Sequence, residues 1–327
     1  LRWETKGQWS VGLDLALLSN RIRLTADYYH KKTTNLLNDV EMPRSSGYTT
    51  ALRNVGAIRN AGVELQLDTR IIDKAVKWDF GVNLSVNRSK VLSLSDGKDI
   101  FGSTVSNTII SDQLNLMRIG EPMYVFYGYV EEGYDDNGQL VYKDLDGSDG
   151  ITPADKTIIG NPNPDCLLNF NTAVSYKGFT LSAFFQGSIG NDIYSLSMAS
   201  AAYDYSSNAN TLREVLYNHW TPEKPDAKYP NLRQDIALKM SDRFVYDGSY
   251  MRLKNLELSY NIPCSKSRVI SKARVYVSAQ NLWTITSYPF WDPDVNAKGG
   301  STSLAQGIDA SCYPGARTFT LGCRLVF

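Results

Sequence analysis

The chain has 327 residues, with 34 basic and 34 acidic side chains, and its mean hydropathy is −0.29. The balanced charge and the lack of long basic runs argue against a nucleic-acid partner. No apolar run is long enough for a membrane-spanning helix. A transmembrane β-barrel stays compatible, because its inward polar residues dilute the average hydropathy. The cysteines, Cys166, Cys264, Cys312 and Cys323, form no C-x-x-C pair and are interpreted as incidental thiols.

Apolar and polar residues alternate in about nine segments, which is the period-two pattern of strands that have two different environments. Turn residues such as Ser19-Asn20 and Lys177-Gly178 join some neighbouring segments by short connections, which predicts β-hairpins. In chain order, the predicted strands cover residues 9–17, 22–28, 63–71, 78–86, 168–176, 179–185, 250–262, 275–279 and 319–327.

Other neighbouring segments are separated by long polar stretches that are interpreted as loops. These stretches cover residues 31–54, 93–165 and 187–247, and a further loop precedes the terminal strand. Thr211 and Glu214 have the spacing of a capping box, which predicts a short helix after them. The alternation slips in phase near Lys254 and Asn255, which predicts a β-bulge.

Short connections and long loops take turns along the chain, as they do in outer-membrane barrels, whose turns face the periplasm and whose loops face outside. The apolar face of the terminal strand would promote aggregation at a free soluble edge, but it suits a strand that closes a barrel. An odd number of strands cannot close an even-stranded antiparallel barrel, so we expect further strands upstream of Leu1. The residues assigned to barrel closure are Phe319, Leu321, Leu325 and Phe327.

The stretch 144–155 has the spacing of a calcium loop. Oxygen-bearing side chains stand at its first, third, fifth and twelfth positions, which suits a hard cation. The sixth position carries Asp149 where such loops have Gly, and the twelfth is Asp rather than Glu. A Ca²⁺ site and an acidic, solvated turn therefore stay open as alternatives. The candidate metal ligands are Asp144, Asp146, Ser148 and Asp155.

The sequence offers little support for catalysis. His30 and His219 stand in no H-E-x-x-H motif, and neither G-x-S-x-G nor G-x-G-x-x-G occurs, so we predict that the protein is not an enzyme. Aromatic residues in the loops could stack on sugar rings or peptide side chains at the mouth of a lumen, or they could pack the loops together. The candidate ligand-binding residues are Tyr203, Tyr205, Trp220 and Trp291.

A series of short motifs is spread along nearly the whole chain. They are NVGAIRNAGVE at 54–64, DLDG at 144–147, IGNPNP at 159–164, YKGFTLSAFFQGSIGND at 176–192, YMRLKNL at 250–256, RVYVSAQNL at 274–282 and RTFTLG at 317–322. In this order they resemble the SusC/RagA family of TonB-dependent outer-membrane transporters of the Bacteroidetes. The stretch 144–155 departs from a regular calcium loop, and the chain opens as if within a strand.

The resemblance implies an all-β fold, an antiparallel transmembrane β-barrel of about 22 strands. Residues 1–327 would supply its C-terminal part, about nine strands, and the plug domain and earlier strands would lie outside this chain. The resemblance further implies an active importer of oligosaccharides or peptides in the bacterial outer membrane, surrounded by membrane lipid or lipopolysaccharide. Its partners would be a SusD-like surface lipoprotein and TonB, which acts on the plug.

Two other functions are compatible with the strand pattern. A surface-exposed all-β adhesin or glycan-binding module would turn its apolar face inward and would dissolve without detergent. A passive porin would need an unplugged lumen. Upstream sequence that encodes a plug would distinguish the active transporter from the porin.

Overall fold

The computed structural model describes residues 1–48, 50–95, 97–205, 210–232, 238–264, 269–295 and 306–327. Within these residues, nine long strands form one antiparallel sheet, which we call the wall, and each strand pairs with its neighbours in chain order. The wall begins at the edge strand β1 and ends at the edge strand β9. Its strands are β1 (Thr5–Leu17), β2 (Ile22–Glu41), β3 (Thr50–Asp73), β4 (Val76–Leu94), β5 (Cys166–Tyr176), β6 (Phe179–Ile189), β7 (Tyr250–Ile262), β8 (Lys272–Thr286) and β9 (Thr318–Val326).

The wall has an apolar face and a polar face, as the sequence alternation predicts. One row of register partners on the apolar face consists of Leu15, Leu24, Leu67, Val82, Phe170, Phe185, Leu253 and Trp283. The adjacent row on the polar face consists of Asp14, Thr25, Gln66, Asn83, Asn169, Gln186, Arg252 and Thr284. Because a slip by one residue would exchange the two faces, this alternation fixes the strand register.

Tight turns at one end of the wall confirm the predicted hairpins. Lys177 and Gly178 join β5 to β6 with φ values of +47° and +88°. Two consecutive positive φ values match the twist of the flanking strands, and Gly adopts this conformation without a steric penalty. The predicted bulge near Lys254 is also present, because the pairing of β7 with β8 shifts between Leu253 and Asn255.

The prediction of a loop over 31–54 is wrong, because β2 and β3 continue through most of it and only residues 42–49 connect them. Thr33, Ile58 and Val91 lie on the polar face of these strands, yet all three are buried beneath the loops that follow β4. The side chains on that face are therefore no longer exposed to water, and the contrast between apolar and polar positions disappears from the sequence.

The alternation of short and long connections is confirmed, because each connection at the end of the wall that carries the tight turns is shorter than its neighbours in the chain. The contrast is smallest for residues 263–271 at that end, which are similar in number to residues 42–49 at the opposite end. The three longest connections all leave the same end of the wall. They are the first loop (95–165), the second loop (190–249) and the third loop (287–317), and together we call them the loop layer.

The loop layer is folded rather than irregular. The first loop contains the short strands Ile100–Phe101, Thr104–Ser106, Ser111–Gln113, Asn115–Met117, Val125–Gly128, Glu131–Tyr134, Leu140–Tyr142 and Thr157–Gly160. The second and third loops contribute Asp192–Ser195, Val245–Asp247 and Ile308–Asp309, which form one small sheet. Single 3-10 turns occur at Arg44–Ser46, Pro153–Asp155 and Asp242–Phe244.

Two α-helices lie in the second loop, among the described residues: α1 (Leu196–Tyr203) and α2 (Arg213–Asn218). The predicted helix after Thr211 is confirmed as α2, but its capping box is wrong. Leu212 is the N-cap, and the Thr211 hydroxyl donates to the carbonyl of Ala201 instead. In the part of the chain that the structure describes, no helix is long and apolar enough to cross a membrane.

The largest hydrophobic core lies inside the loop layer and combines all three loops. Its fully buried members include Phe126 from the first loop, Tyr194 and Phe244 from the second, and Ile308 from the third. A smaller core at the rim packs Met117 of the first loop onto Ile58 of β3 and Val91 of β4. The loop layer is thus a packed unit that is seated on the upper part of β3 and β4.

Candidate functional site: the polar face and the loop layer

The polar face of the wall offers a continuous set of hydrogen-bonding side chains. The Thr25 hydroxyl donates to Asp14 Oδ1 over 2.7 Å. Nearby, Thr25, Glu64 and Asn83 line a hollow of about 170 Å³. Such a surface suits a lumen through which polar solutes pass, because they can exchange hydrogen bonds with water for hydrogen bonds with the face.

A buried ion pair joins two loops above this face. The Arg243 guanidinium in the second loop pairs with the Glu131 carboxylate in the first, and both side chains are largely buried. Arg243 also donates to the hydroxyls of Tyr203 and Tyr134 over 2.8 and 2.9 Å. Burial raises the pKa of Tyr134 to about 12, so its phenol stays protonated near neutral pH. The guanidinium is therefore fully coordinated, as a buried charge requires.

A second buried ion pair fixes the third loop to the wall. Arg252 of β7 pairs with Asp292 in the third loop and donates through Nε to the Thr284 hydroxyl of β8 over 3.0 Å. The other oxygen of Asp292 accepts the backbone N–H of Gly315 over 3.2 Å. Each of the three long loops is thus held by polar contacts to another loop or to the wall.

The predicted ligand-binding aromatic residues occupy two different environments. Tyr203 and Trp220 are buried, at 5% and 8% exposure, and Tyr205 packs against the loop core, so these rings contribute to loop packing. Trp291 is 61% exposed and stacks on Phe290 with ring centroids 4.9 Å apart. A stacking role toward a ligand therefore stays a prediction for Trp291, whereas burial makes the ring faces of Tyr203 and Trp220 unavailable for it.

The structure brings together the three carboxylates among the predicted metal ligands. One carboxylate oxygen from each of Asp144, Asp146 and Asp155 lies within 4.8 Å of the other two. The Ser148 hydroxyl faces the Gly150 carbonyl at 3.5 Å, and its role as a ligand stays a prediction. Three carboxylates at this spacing fit a hard cation such as Ca²⁺, for which oxygen is the preferred ligand.

Asp155 also organises the loop without an ion. Its Oδ1 accepts the backbone N–H of Leu145 over 2.7 Å, and its Oδ2 accepts that of Thr152 over 2.7 Å. These hydrogen bonds, with that from Thr152 the strongest cause, hold the pKa of Asp155 below its usual value. The carboxylate is therefore ionised near neutral pH and ties the two ends of the loop together.

The residues assigned to barrel closure lie at the edge of the wall. Phe319, Leu321 and Leu325 of β9 project from the apolar face, and each pairs in register with an apolar residue of β8. Leu321 is 85% exposed, and the aromatic residue Phe327 that follows β9 is 79% exposed. The outer edge of β9 pairs with no strand among the described residues, so closure by these residues stays a prediction.

An exposed apolar band, a polar inner face and long folded loops at one end define the class of outer-membrane β-barrels. The family model described as TonB dependent receptor-like, beta-barrel, matches residues 1–282. The chain belongs to this family of TonB-dependent receptors. Members of the family are outer-membrane receptors and transporters rather than enzymes, so the apolar face of the wall meets lipid and the polar face meets the lumen.

Curated relatives are similar over the whole chain. TonB-dependent receptor P3 of Formosa agariphila is 35% identical over 351 residues, which cover 100% of this chain and 34% of that protein. TonB-dependent receptor SusC of Bacteroides thetaiotaomicron is 30% identical over 341 residues, which cover 100% of this chain and 32% of that protein. The chain thus spans about a third of the length of these relatives.

A solved structure shares the fold. The RagAB peptide transporter superposes with a TM-score of 0.81 and 26% identity, over 99% of this chain and 35% of that one. These similarities confirm the SusC/RagA resemblance that the motifs indicate. They also confirm that the nine-stranded wall has the fold of a TonB-dependent barrel.

Sequence reasoning missed the two buried ion pairs. Arg243 and Glu131 both lie among other polar residues of their loops, so neither residue carries a local signal in the sequence. Arg252 lies at a polar position of a strand that the alternation did predict. A buried arginine requires a carboxylate partner, but the position of that partner, Asp292, depends on how the third loop folds back.

Proposed function

We propose that this chain forms the C-terminal part of the wall, together with the outer loop layer, of an active importer of peptides or oligosaccharides. The observation that carries the proposal is the polar row that crosses eight strands of the wall, in a fold similar to that of the RagAB peptide transporter. Peptides and sugars are both polar and rich in hydrogen-bonding groups, and such a face can hydrate and guide either of them.

The same proposal assigns two partners to the whole protein. TonB would supply energy through a plug domain, and a SusD-like lipoprotein would cover the loop layer. Membership in the TonB-dependent receptor family supports the first partner. The similarity to SusC and to RagAB supports the second, and the packed core of the loop layer provides a rigid surface on which a lid could rest.

Uptake by the native bacterium tests this function. A strain that lacks the protein is supplied with labelled oligopeptides and, separately, with labelled oligosaccharides, and uptake is compared with that of a complemented strain. We expect one of the two classes to lose uptake and to recover it on complementation. A protonophore should abolish the recovered uptake, because TonB-linked transport requires the inner-membrane proton gradient.

Two outcomes would contradict the proposal. Recovered uptake that is insensitive to the protonophore would indicate a passive porin. Unchanged uptake together with a loss of surface binding would indicate an adhesin or a glycan-binding module.

Trp291 is the residue in the loop layer for which we propose ligand stacking. Trp291→Ala should lower uptake at low substrate concentration, because aromatic stacking on sugar or peptide groups is lost. Tyr217→Ala provides the matched control, since Tyr217 is 62% exposed in the same layer and lies outside the third loop. Equal uptake by the two variants would show that Trp291 does not contribute to ligand binding.

We further propose that Asp144, Asp146 and Asp155 hold a Ca²⁺ ion. The proximity of their carboxylate oxygens supports this site, and the ion would offset the repulsion between three like charges. The variant Asp144→Ala/Asp146→Ala should lower the melting temperature of the protein in calcium but not in a chelator. Asp149→Ala is the control, because Asp149 is exposed and lies outside the group. Equal melting temperatures of the double variant and the control in calcium would indicate that the loop is an acidic turn that binds no Ca²⁺.

A further inference from the structure

A row of basic side chains crosses the lipid-facing side of the wall above its apolar band. Lys32 of β2 pairs in register with Arg59 of β3, and Arg59 pairs with Lys90 of β4. We call these three residues the basic row. They share a face with Tyr28 and Val86, as the strand alternation requires, so they point out of the barrel rather than into its lumen.

The basic row lies at the level where the hydrocarbon ends. The two rows beneath it contain Trp9, stacked on His30 at 5.7 Å, and Tyr28, at 5.3 Å from Trp9. Aromatic side chains of this kind mark the interface of a membrane with water. Strand β1 extends about 33 Å from Leu17, at the turn end of the wall, to Gly7, which lies beside Lys32. A strand tilt near 40° from the barrel axis reduces this length to a height of roughly 25 Å, which is the height of the apolar band of an outer-membrane barrel.

Like charges directly opposite one another destabilise a sheet, and these three have no salt-bridge partner among the described residues. Arg59 is half-buried, and its Nε lacks a hydrogen-bond partner within the same residues. The neighbouring Arg88 differs, because it pairs with Asp165 over 2.7 Å. The basic row therefore carries three positive charges that no ion pair within the described residues neutralises, and an external anion can do so.

Space for such an anion lies beside the basic row. A hollow of about 490 Å³ is lined by Lys32 and by Thr34 and Leu92, which lie one step further from the membrane centre. A Cβ added at Gly7, next to Lys32, would meet no atom within 4 Å. A headgroup that carries a phosphate can thus approach the basic row from the side of the lipid.

We propose that the basic row binds the phosphorylated sugar headgroup of lipopolysaccharide in the outer leaflet. Three features of the wall favour this occupant: the side chains face lipid, they stand at headgroup height on the side of the long loops, and their charge complements phosphate. The acyl chains of the same molecule would lie along the exposed apolar residues beneath, such as Val11 and Val63.

The test measures binding of lipopolysaccharide to the full-length protein purified in detergent. The variant Lys32→Gln/Arg59→Gln/Lys90→Gln should bind it roughly a hundredfold more weakly, because each basic residue near a charged membrane surface contributes about fivefold. The control, Arg23→Gln/Lys31→Gln/Lys77→Gln, removes the same charge from the polar face and should bind like the unmodified protein. Chemically dephosphorylated lipopolysaccharide should bind weakly to all three proteins.

Several results would overturn the proposal. They are equal binding by the two triple variants, undiminished binding of the dephosphorylated lipid, and displacement of the lipid by millimolar inorganic phosphate, which would identify a site for free phosphate. Heat-modified electrophoretic mobility reports whether each variant folds. If the first variant does not fold, the unmodified protein decides the question, since its affinity should fall as ionic strength rises. Affinity that is independent of salt would then contradict the binding of lipopolysaccharide by the basic row.

Discussion

The wall and the loop layer place their apolar side chains on opposite sides. In the wall, Leu321 and Phe319 are 85% and 71% exposed on the outer face. In the loop layer, Phe126 and Tyr194 are completely buried inside a core that all three loops build. The difference shows that the two regions of the chain are adapted to different surroundings, lipid for the wall and water for the loop layer. The wall uses lipid to cover its apolar residues, whereas the loop layer must build a core of its own against water.

The two regions also differ in where their charged side chains lie. The buried ion pair between Arg243 and Glu131 lies inside the loop layer, where the low local dielectric makes each partner necessary to the other. On the lipid-facing side of the wall, the charged residues of the basic row stand above the apolar band. Substitutions that unpair a buried charge in the loop layer, or that place a charge on the lipid face of the wall, should therefore destabilise one region and leave the other unchanged.

The largest effect is expected at the buried ion pair of the loop layer. Arg243→Met leaves the Glu131 carboxylate buried and unpaired, which should destabilise the loop layer by about 3–5 kcal/mol. Hydrogen exchange in the first and second loops should rise, while exchange in the wall stays unchanged. The double variant Arg243→Met/Glu131→Leu should be milder, since it leaves no buried charge. An equal rise of exchange in the wall would show that the two regions unfold as one unit.

A smaller effect is expected on the lipid face of the wall. Val82→Arg or Leu321→Arg should cost about 2–4 kcal/mol of barrel stability if the site lies at the bilayer midplane. The neighbouring changes Asn83→Arg and Thr320→Arg project into the lumen and should cost much less. Unfolding in denaturant from reconstituted bilayers measures each difference. Similar losses for both faces would contradict the assignment of lipid and lumen sides.

The smallest effect is a pH dependence confined to the 144–155 loop. Because the folded-state pKa of Asp155 is lowered, its contribution is fully present above the unfolded pKa of about 3.9. It is lost as the pH falls through the lower folded pKa. Limited proteolysis of this loop should therefore accelerate at strongly acidic pH and stay constant from pH 5 to 8. Asp155→Asn should be cleaved quickly at every pH, and a loop that opens near pH 6 would point to another group.

Sequence alone predicts the wall well and the loop layer poorly, for a physical reason. Where one face meets lipid and the other a watery lumen, as from Trp78 to Val86, alternation records both environments. Where the loop layer covers the polar face, as at Thr33 and Ile58, the contrast vanishes and the strand is mistaken for a loop. The strands of the loops are only two to four residues long, which is too short for a periodic pattern.

The candidate site, too, can be predicted from the sequence only in part. The spacing of Asp144, Asp146 and Asp155 is local in sequence, and their proximity could be predicted from it. The burial of Tyr203 and Trp220 could not, because it depends on packing between loops that are distant in sequence. The basic row is visible only once the register is known, since Lys32, Arg59 and Lys90 belong to three different strands.

The small sheet that joins the second and third loops has a consequence for the order of folding. Tyr194 and Ile308 are parallel register partners, and the hydroxyl of Ser197 reaches the carbonyl of Asp309, 112 residues further along the chain. Contacts of such long range form late, because the intervening chain must first be ordered. We expect β7 and β8 to join the wall before this sheet can form. The loop core would then close last, with Ile308 as the residue that completes it.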